Sequence, residues 1–132
     1  MTLIDTSAWI EFFRSKGDRT TKKRVGDLLG ADEAAYTCPI YFELMAGARV
    51  KEKAAIRETL SFCKRELFNE RHWEQTAEIE NTLLRRGVTV PRDDLFVGTI
   101  ALAKRLPLLC KDRHFDLMRD RGQMKLEIIQ LA

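Results

Sequence analysis

The chain has 132 residues, of which 45% are hydrophobic and 33% are charged. This length fits one compact domain over residues 1–132 and excludes a second hydrophobic core. The net charge of +3 permits an anionic partner without requiring one. No stretch approaches the roughly 18 apolar residues of a membrane span, and Met1–Asp5 is not a basic leader, so we expect a cytoplasmic protein.

The cysteines form an odd set without a CxxC spacing: Cys38, Cys63 and Cys110. That count disfavours both a disulfide framework and a zinc site. We therefore predict three buried, reduced thiols.

The first half of the chain alternates short apolar runs with amphipathic segments. The predicted helices cover residues 8–14, 20–29 and 40–48, and the predicted strands cover 2–4 and 34–38. The first strand ends at Asp5, and the hydroxyls of Thr6 and Ser7 are suited to capping the helix that follows. Pro39 ends the second strand and suits the first turn of the helix that carries Glu43.

The second half continues the alternation. The predicted helices cover 51–64, 72–86 and 93–103, and the predicted strands cover 66–68, 108–110 and 126–131. The helix that opens at Asp93 and Asp94 is apolar along most of its length, which indicates a buried position. Strands alternating with helices predict an α/β fold with a parallel sheet of about four or five strands and helices on both faces.

Several acids follow strands or open helices. Asp5 and Asp112 each come after an apolar strand, Asp94 lies in the first turn of the buried helix, and Glu43 lies one turn into its helix. Ligand sites in such sheets lie beyond the carboxyl ends of the strands. We therefore predict that these four carboxylates share one pocket.

Carboxylates packed together repel one another unless protons or a cation neutralise them. Mg²⁺ prefers oxygen ligands and is typically held by a few carboxylates together with substrate phosphates, so Mg²⁺ or Mn²⁺ fits better than zinc. Such an ion activates water for attack on a phosphodiester. The sequence thus predicts phosphodiester hydrolysis.

The acids lie within segments that resemble the signatures of PIN-domain VapC toxins. The segments, in chain order, are LIDTSAWI (3–10), FELMAGA (42–48), DLFVGTIA (94–101) and LLCKDRHF (108–115). The resemblance implies a PIN-like α/β/α sandwich and the toxin of a type II toxin–antitoxin system. It also implies a Mg²⁺- or Mn²⁺-dependent endoribonuclease that forms a homodimer and is neutralised by a cognate VapB-type antitoxin, in a heterotetramer or a larger assembly.

The same resemblance implies metal ligands: Asp5, Glu43, Asp94 and Asp112. It also implies that the hydroxyl of Thr6 or Ser7 orients Asp5 or a water molecule. The chain departs from the pattern at Cys110, where many relatives carry a hydroxyl, and at His114, where a further aspartate is frequent. Asp116, four residues after Asp112, is therefore an alternative fourth ligand.

Each predicted ligand has an ordinary structural alternative. Asp5 is also suited to capping a helix, Glu43 to a surface salt bridge and Asp112 to a turn. Asp93 and Asp94 compete for one inward position. His114 is either a general base or phosphate ligand, or a packed side chain.

Other residues have two interpretations. Basic residues near the predicted pocket either bind the RNA backbone or form a solvated surface: Arg92, Lys111 and Arg113. Trp9, Phe12 and Phe13 at helical spacing favour core, dimer or antitoxin contacts over base stacking. We expect the antitoxin to cover apolar surface near the first four helices and to block the acidic pocket.

Two other classes of function remain open. In a phosphoryl-transfer or receiver-like domain Asp5 would be a nucleophile, but the Asp-x-Asp pair that would support this is absent from Ile4–Ser7. A catalytically silent PIN-like interaction module would be expected to have lost one or more of the acids, and all four are present.

Overall fold

The computed structural model describes residues 1–131. Within that range five strands cover Thr2–Ile4 (β1), Ala34–Thr37 (β2), Lys64–Glu66 (β3), Leu108–Cys110 (β4) and Ile128–Gln130 (β5). Seven helices cover Thr6–Phe13 (α1), Arg19–Gly30 (α2), Cys38–Gly47 (α3), Val50–Ser61 (α4), Glu70–Arg85 (α5), Arg92–Lys104 (α6) and His114–Asp120 (α7).

The strands form one parallel sheet in the order β3-β2-β1-β4-β5. Leu3 pairs with Ala35 on one side and with Leu108 on the other, so β1 lies at the centre. Crossovers between parallel strands are right-handed. Helices α1–α4 connect strands that succeed one another from β1 toward the β3 edge of the sheet, whereas α5–α7 connect strands in the opposite direction, toward the β5 edge. The two helix groups therefore cover opposite faces, and the predicted α/β/α sandwich is confirmed.

The hydrophobic core surrounds the central strands. Leu3 and Leu109 have no exposed surface, and Trp9 of α1 and Phe115 of α7 are the largest fully buried side chains. Ile100 and its neighbours on α6 are also buried, which confirms the predicted buried helix. Trp9 stacks on Phe13 with ring centroids 5.7 Å apart, so its main role is in the core.

Several predicted boundaries were wrong. Strand β3 covers 64–66 and not 66–68, because its register pairs Thr37 with Glu66, and Leu67 lies 56% exposed beyond it. Helix α4 ends at Ser61, before Phe62. Helix α7 was not predicted, since it has only seven residues and follows a turn. Strand β5 is shorter than the predicted 126–131.

The prediction of three buried thiols holds for Cys110 only. Cys38 is exposed and Cys63 is partly exposed. The cause for Cys38 is that β2 ends one residue earlier than predicted, so this cysteine opens α3 at the surface.

None of the helices in the described range is long and apolar enough to cross a membrane.

The strand order positions a crevice between β1 and β4. The connection after β1 leaves toward β2, whereas the connection after β4 leaves toward β5, so the two helices that follow diverge. Ligand sites of open parallel sheets lie at this kind of switch point, beyond the carboxyl ends of the strands. Asp5 follows β1 there, and Lys111 and Asp112 follow β4.

Candidate metal centre

Asp5 is fixed where β1 becomes α1. Its backbone N–H donates to the carbonyl of Leu109 at 2.9 Å, and its Oδ2 accepts from the N–H and the Oγ of Ser7 at 3.1 and 2.6 Å. Asp5 is thus the N-cap of α1, and the expectation that Thr6 or Ser7 caps this helix was wrong. The other oxygen, Oδ1, is buried and has no hydrogen-bond partner among residues 1–131.

The two hydroxyls at the start of α1 hold other parts of the centre. Ser7 Oγ accepts from the N–H of Lys111 at 2.9 Å, which ties the end of β1 to the end of β4. Thr6 Oγ1 donates to Oε1 of Glu43 at 2.8 Å. Each hydroxyl therefore orients a carboxylate or its supporting backbone.

A second cluster joins Asp94 on α6, Asp112 in the turn after β4 and His114 at the start of α7. Oδ2 of Asp94 lies 2.7 Å from Nδ1 of His114, and Oδ1 of Asp112 lies 2.8 Å from the same nitrogen. The His114 N–H also donates to Oδ1 of Asp112 at 2.8 Å. One ligand atom from each of these residues lies within 4.8 Å of the other two, a spacing that could hold a metal ion.

Asp5 and Asp94 both have a raised pKa, in part because other acids lie nearby. Burial raises the pKa of Asp5, the charge of Asp112 raises it further, and the hydrogen bonds from Ser7 only partly oppose the shift. Burial, followed by the charges of Asp112 and Asp5, raises the pKa of Asp94 to about 7. These carboxylates come from three elements of the fold and share one electrostatic environment.

Glu43 belongs to the same environment. Burial raises its pKa, the hydrogen bond from Thr6 opposes this, and the charges of Asp93 and Asp5 add to it. The sequence left Asp93 and Asp94 competing for one inward position, with Asp93 suited to capping the helix; the N-cap of α6 is Pro91, and Asp93 lies beside Glu43.

The pKa of His114 is also raised, which favours the charged form of this base. Its partial burial disfavours the charged ring, but the hydrogen bond to Asp94 and the charge of Asp112 outweigh this and raise its pKa. The sequence left open whether this residue is functional or simply packed. Its spacing of two residues after Asp112, at the start of an unpredicted helix, brings it into the cluster.

The donor set fits a hard divalent cation. Asp5 Oδ1 is a buried acceptor without a donor in the described range, and burial together with like charges raises the pKa of three carboxyl groups. A cation would satisfy the unpaired oxygen and relieve the repulsion. Carboxylate oxygens are the ligands that Mg²⁺ and Mn²⁺ favour.

The remaining predicted residues are engaged elsewhere. Asp116 forms ion pairs with Arg113 at 3.1 Å and with Arg119 at 3.5 Å, whereas Asp112 lies in the cluster. Arg92 pairs with Glu80 on α5 at 3.2 Å. The ammonium group of Lys111 lies 3.7 Å from Asp18. All three basic side chains predicted to bind RNA therefore have acidic partners within the chain.

Comparison with known proteins identifies the fold family. The family model described as PIN domain matches residues 2–120. The chain belongs to the PIN domain family. This PIN domain places its acids at the carboxyl edge of the sheet, after β1, on α3, on α6 and in the turn after β4. No curated protein sequence matches the chain closely enough to add to this assignment.

Solved structures share the fold over nearly the whole length. VapBC2 from Rickettsia felis, bound to a DNA fragment from its promoter, gives a TM-score of 0.78 at 14% identity, covering 99% of this chain and 98% of that chain. FitAcB from Neisseria gonorrhoeae gives 0.79 at 18%, covering 98% and 97%. VapBC-5 from Mycobacterium tuberculosis, from a family of toxin-antitoxin systems, gives 0.69 at 22%, covering 98% of each.

Proposed function

We propose that this PIN domain is the toxin of a type II toxin–antitoxin system and acts in the cytoplasm as a metal-dependent endoribonuclease. The observation that carries the proposal is the convergence of Asp5, Asp94 and Asp112 at one sheet edge, with Oδ1 of Asp5 buried and unpaired within residues 1–131. Glu43 lies beside them and completes the predicted set. Membership of the PIN family and the shared fold with VapBC structures support the same function.

The proposed ligands are Asp5, Glu43, Asp94 and Asp112, for Mg²⁺ or Mn²⁺. A bound divalent ion supplies Lewis acidity that activates water and offsets charge on a phosphodiester. The protein contributes fixed orientation: Ser7 holds one oxygen of Asp5, and Thr6 holds one oxygen of Glu43. Both supports come from the first turn of α1, so one element of the fold orients two of the proposed ligands.

The decisive experiment is cleavage of a pool of structured cellular RNAs by the purified protein in Mg²⁺, Mn²⁺ or EDTA. We expect cleavage in the metals only, and a loss of on the order of a hundredfold or more in Asp5→Asn and Asp94→Asn, because each removes a charge that holds the ion. Asp120→Asn is the matched control, since this exposed carboxylate pairs with Arg119 outside the centre.

The outcomes separate the competing functions. A protein that neither cleaves RNA nor binds a divalent ion in calorimetry would be a silent interaction module. A covalent phosphate on Asp5 after incubation with acetyl phosphate would favour the phosphoryl-transfer alternative. Metal-dependent cleavage that is equally strong in Asp5→Asn would contradict the assigned ligands.

We further propose a VapB-type antitoxin as partner, seated in a cleft of about 320 Å³ between α1, α3 and α4. Its apolar lining includes Ile10, Phe13, Leu44 and Ile56, and Glu43 lies on the same lining. An apolar segment in this cleft would therefore also obstruct the acidic centre. This agrees with the expected surface near the first four helices.

The partner proposal is tested by Ile10→Asp, co-expressed with the cognate antitoxin. We expect the variant to cleave RNA but escape neutralisation, because the added charge opposes an apolar partner. Leu84→Asp on α5 is the control, because Leu84 is an apolar residue of similar exposure that does not line this cleft. A co-purified complex that retains full nuclease activity would contradict the obstruction.

We also propose that the toxin forms a homodimer through an aromatic surface on α3, α5 and α6. Trp73 packs edge-to-face on Phe96 and on Phe68, with ring centroids 5.0 and 4.9 Å apart. Phe42 and Trp73 remain more than half exposed. Exposed apolar patches of this kind mark association sites. Trp73→Asp should shift the sedimentation coefficient to that of a monomer.

A further inference from the structure

The nitrogen of one side chain lies among the oxygens of the centre. Nδ1 of His114 is 2.7 Å from Oδ2 of Asp94 and 2.8 Å from Oδ1 of Asp112. Adjacent ligands of an octahedral ion with bonds of about 2.0–2.1 Å lie about 3 Å apart. The two distances from Nδ1 are therefore close to those between neighbouring ligands of one ion, and ligand atoms of the three residues all lie within 4.8 Å of one another.

A second observation points to a ligand at the same place. Asp5 is 2% exposed, its Oδ1 has no hydrogen-bond partner among residues 1–131, and its charge acts on Asp94. Hydrogen bonds within the cluster use His114, Asp94 and Asp112 but leave this oxygen unsatisfied. An ion shared by the cluster and Asp5 would satisfy it.

We propose that His114 is a metal ligand through Nδ1, so that the centre selects a first-row transition-metal ion such as Mn²⁺ over Mg²⁺. The proposal rests on the proposed metal-dependent function and specifies its cofactor. Imidazole nitrogen is a ligand that first-row transition metals accept, whereas Mg²⁺ favours oxygen. A mixed nitrogen and oxygen set therefore lowers the relative affinity for Mg²⁺.

The local structure holds the ring in place. His114 is the first residue of α7, its N–H donates to Asp112 at 2.8 Å, and the next residue, Phe115, is fully buried. The side chain is 41% exposed, which leaves room for an ion and its water. The other histidine, His72, is occupied at the start of α5, where its Nδ1 accepts from the N–H of Asn69 at 3.0 Å.

The test is pulsed electron paramagnetic resonance of Mn²⁺ bound to the purified protein, which detects nitrogen bonded to the ion. We expect a ¹⁴N signal in the wild type and in His72→Gln, and none in His114→Gln or His114→Asp. In calorimetry, His114→Asp should bind both ions and lower the Mn²⁺ to Mg²⁺ affinity ratio by roughly tenfold or more.

The outcomes distinguish this proposal from the proposed function. Wild-type protein that binds Mn²⁺ and cleaves RNA, but gives no ¹⁴N signal, would overturn the role of His114 and leave the nuclease assignment standing. Protein that binds neither ion and cleaves nothing would overturn both. An unchanged affinity ratio in a folded His114→Asp variant would also contradict the selectivity.

Discussion

Ser7 shows how one small side chain can organise the centre. Its Oγ donates to Asp5 and accepts from the N–H of Lys111, which lies 104 residues later in the chain. A single hydroxyl therefore links the turns that follow β1 and β4. Without this hydroxyl, the N–H of Lys111 would lose its partner, and Oδ2 of Asp5 would keep only the bond from the N–H of residue 7.

We expect Ser7→Ala to lower the free energy of unfolding by about 1–3 kcal/mol, because the N–H of Lys111 loses its acceptor and Asp5 loses one of its two hydrogen bonds from Ser7. Metal affinity should fall as well, since Asp5 loses a support. Urea denaturation and calorimetry provide the measurements. The matched variant Ser61→Ala removes a hydroxyl that donates to Glu58 at the exposed end of α4, and should change stability by less than about 0.5 kcal/mol. Equal effects of the two variants would contradict the structural role of Ser7.

The cysteines differ sharply in environment. Burial raises the pKa of Cys110 to about 12, with the charge of Asp5 adding to it, and burial raises that of Cys63 to about 11. The thiolate is the reactive form, and Cys38 is the exposed thiol. With an aromatic disulfide reagent at mildly alkaline pH, we expect one rapid equivalent, lost in Cys38→Ser. Three rapid equivalents from native protein would show that the core opens readily.

At the scale of elements, the contact between α6 and α7 brings Asp94 to His114. This contact depends on Gly98, because a Cβ there would lie 2.5 Å from Cε and 2.9 Å from Sδ of Met118. Met118 is fully buried, so the end of its side chain would have to shift within the packed core. A side chain at residue 98 would therefore press on Met118 where the two helices meet.

We expect Gly98→Ala to destabilise the protein by about 1–3 kcal/mol through overpacking, despite the better helix propensity of alanine. Gly26→Ala on α2 is the matched control, since nothing lies within 4 Å of the position that its Cβ would occupy, and it should stabilise by about 0.5–1 kcal/mol. Thermal unfolding of both variants gives the comparison. Stabilisation by both substitutions would mean that Met118 moves aside at no cost.

For the whole molecule, the centre is a source of instability that depends on pH. The pKa values of Asp5, Glu43 and Asp94 are raised in the folded protein, that of Asp94 from 3.8 to about 7, and that of His114 is also raised. The folded state then binds these protons more tightly than the unfolded chain does. Stability from these groups is present at low pH and is lost as pH rises through the folded values.

We therefore expect the melting temperature of protein in EDTA to decrease between about pH 5 and pH 8, and Mn²⁺ to restore it at the upper end, because the ion replaces the protons. Asp94→Asn should flatten the dependence, since it removes the group whose pKa rises to about 7. Calorimetry across this range is the measurement. A melting temperature that rises steadily with pH over the same range in EDTA would contradict the arrangement of charges.

The local pattern of the sequence determined the class of fold and the positions of the acids. Short apolar runs alternating with amphipathic segments specify parallel strands and covering helices, because burial requires a period that matches each element. Acids at the ends of strands then have to lie at one edge of the sheet. Asp5 and Asp112 could be selected on this basis, and Asp94 by its place in the first turn of the buried helix, together with the resemblance to the family.

Only the tertiary structure decided which atoms meet. Contacts between distant segments determine the register of β3, the short helix α7 and the exposure of Cys38. A local sequence pattern does not reveal such contacts. The same holds for the hydrogen bond from the N–H of Lys111 to Ser7 and for the position of His114 between two carboxylates. Sequence spacing fixes the face on which a side chain lies, whereas distances of 2.7 and 2.8 Å result from the packing of helices that meet only in the folded chain.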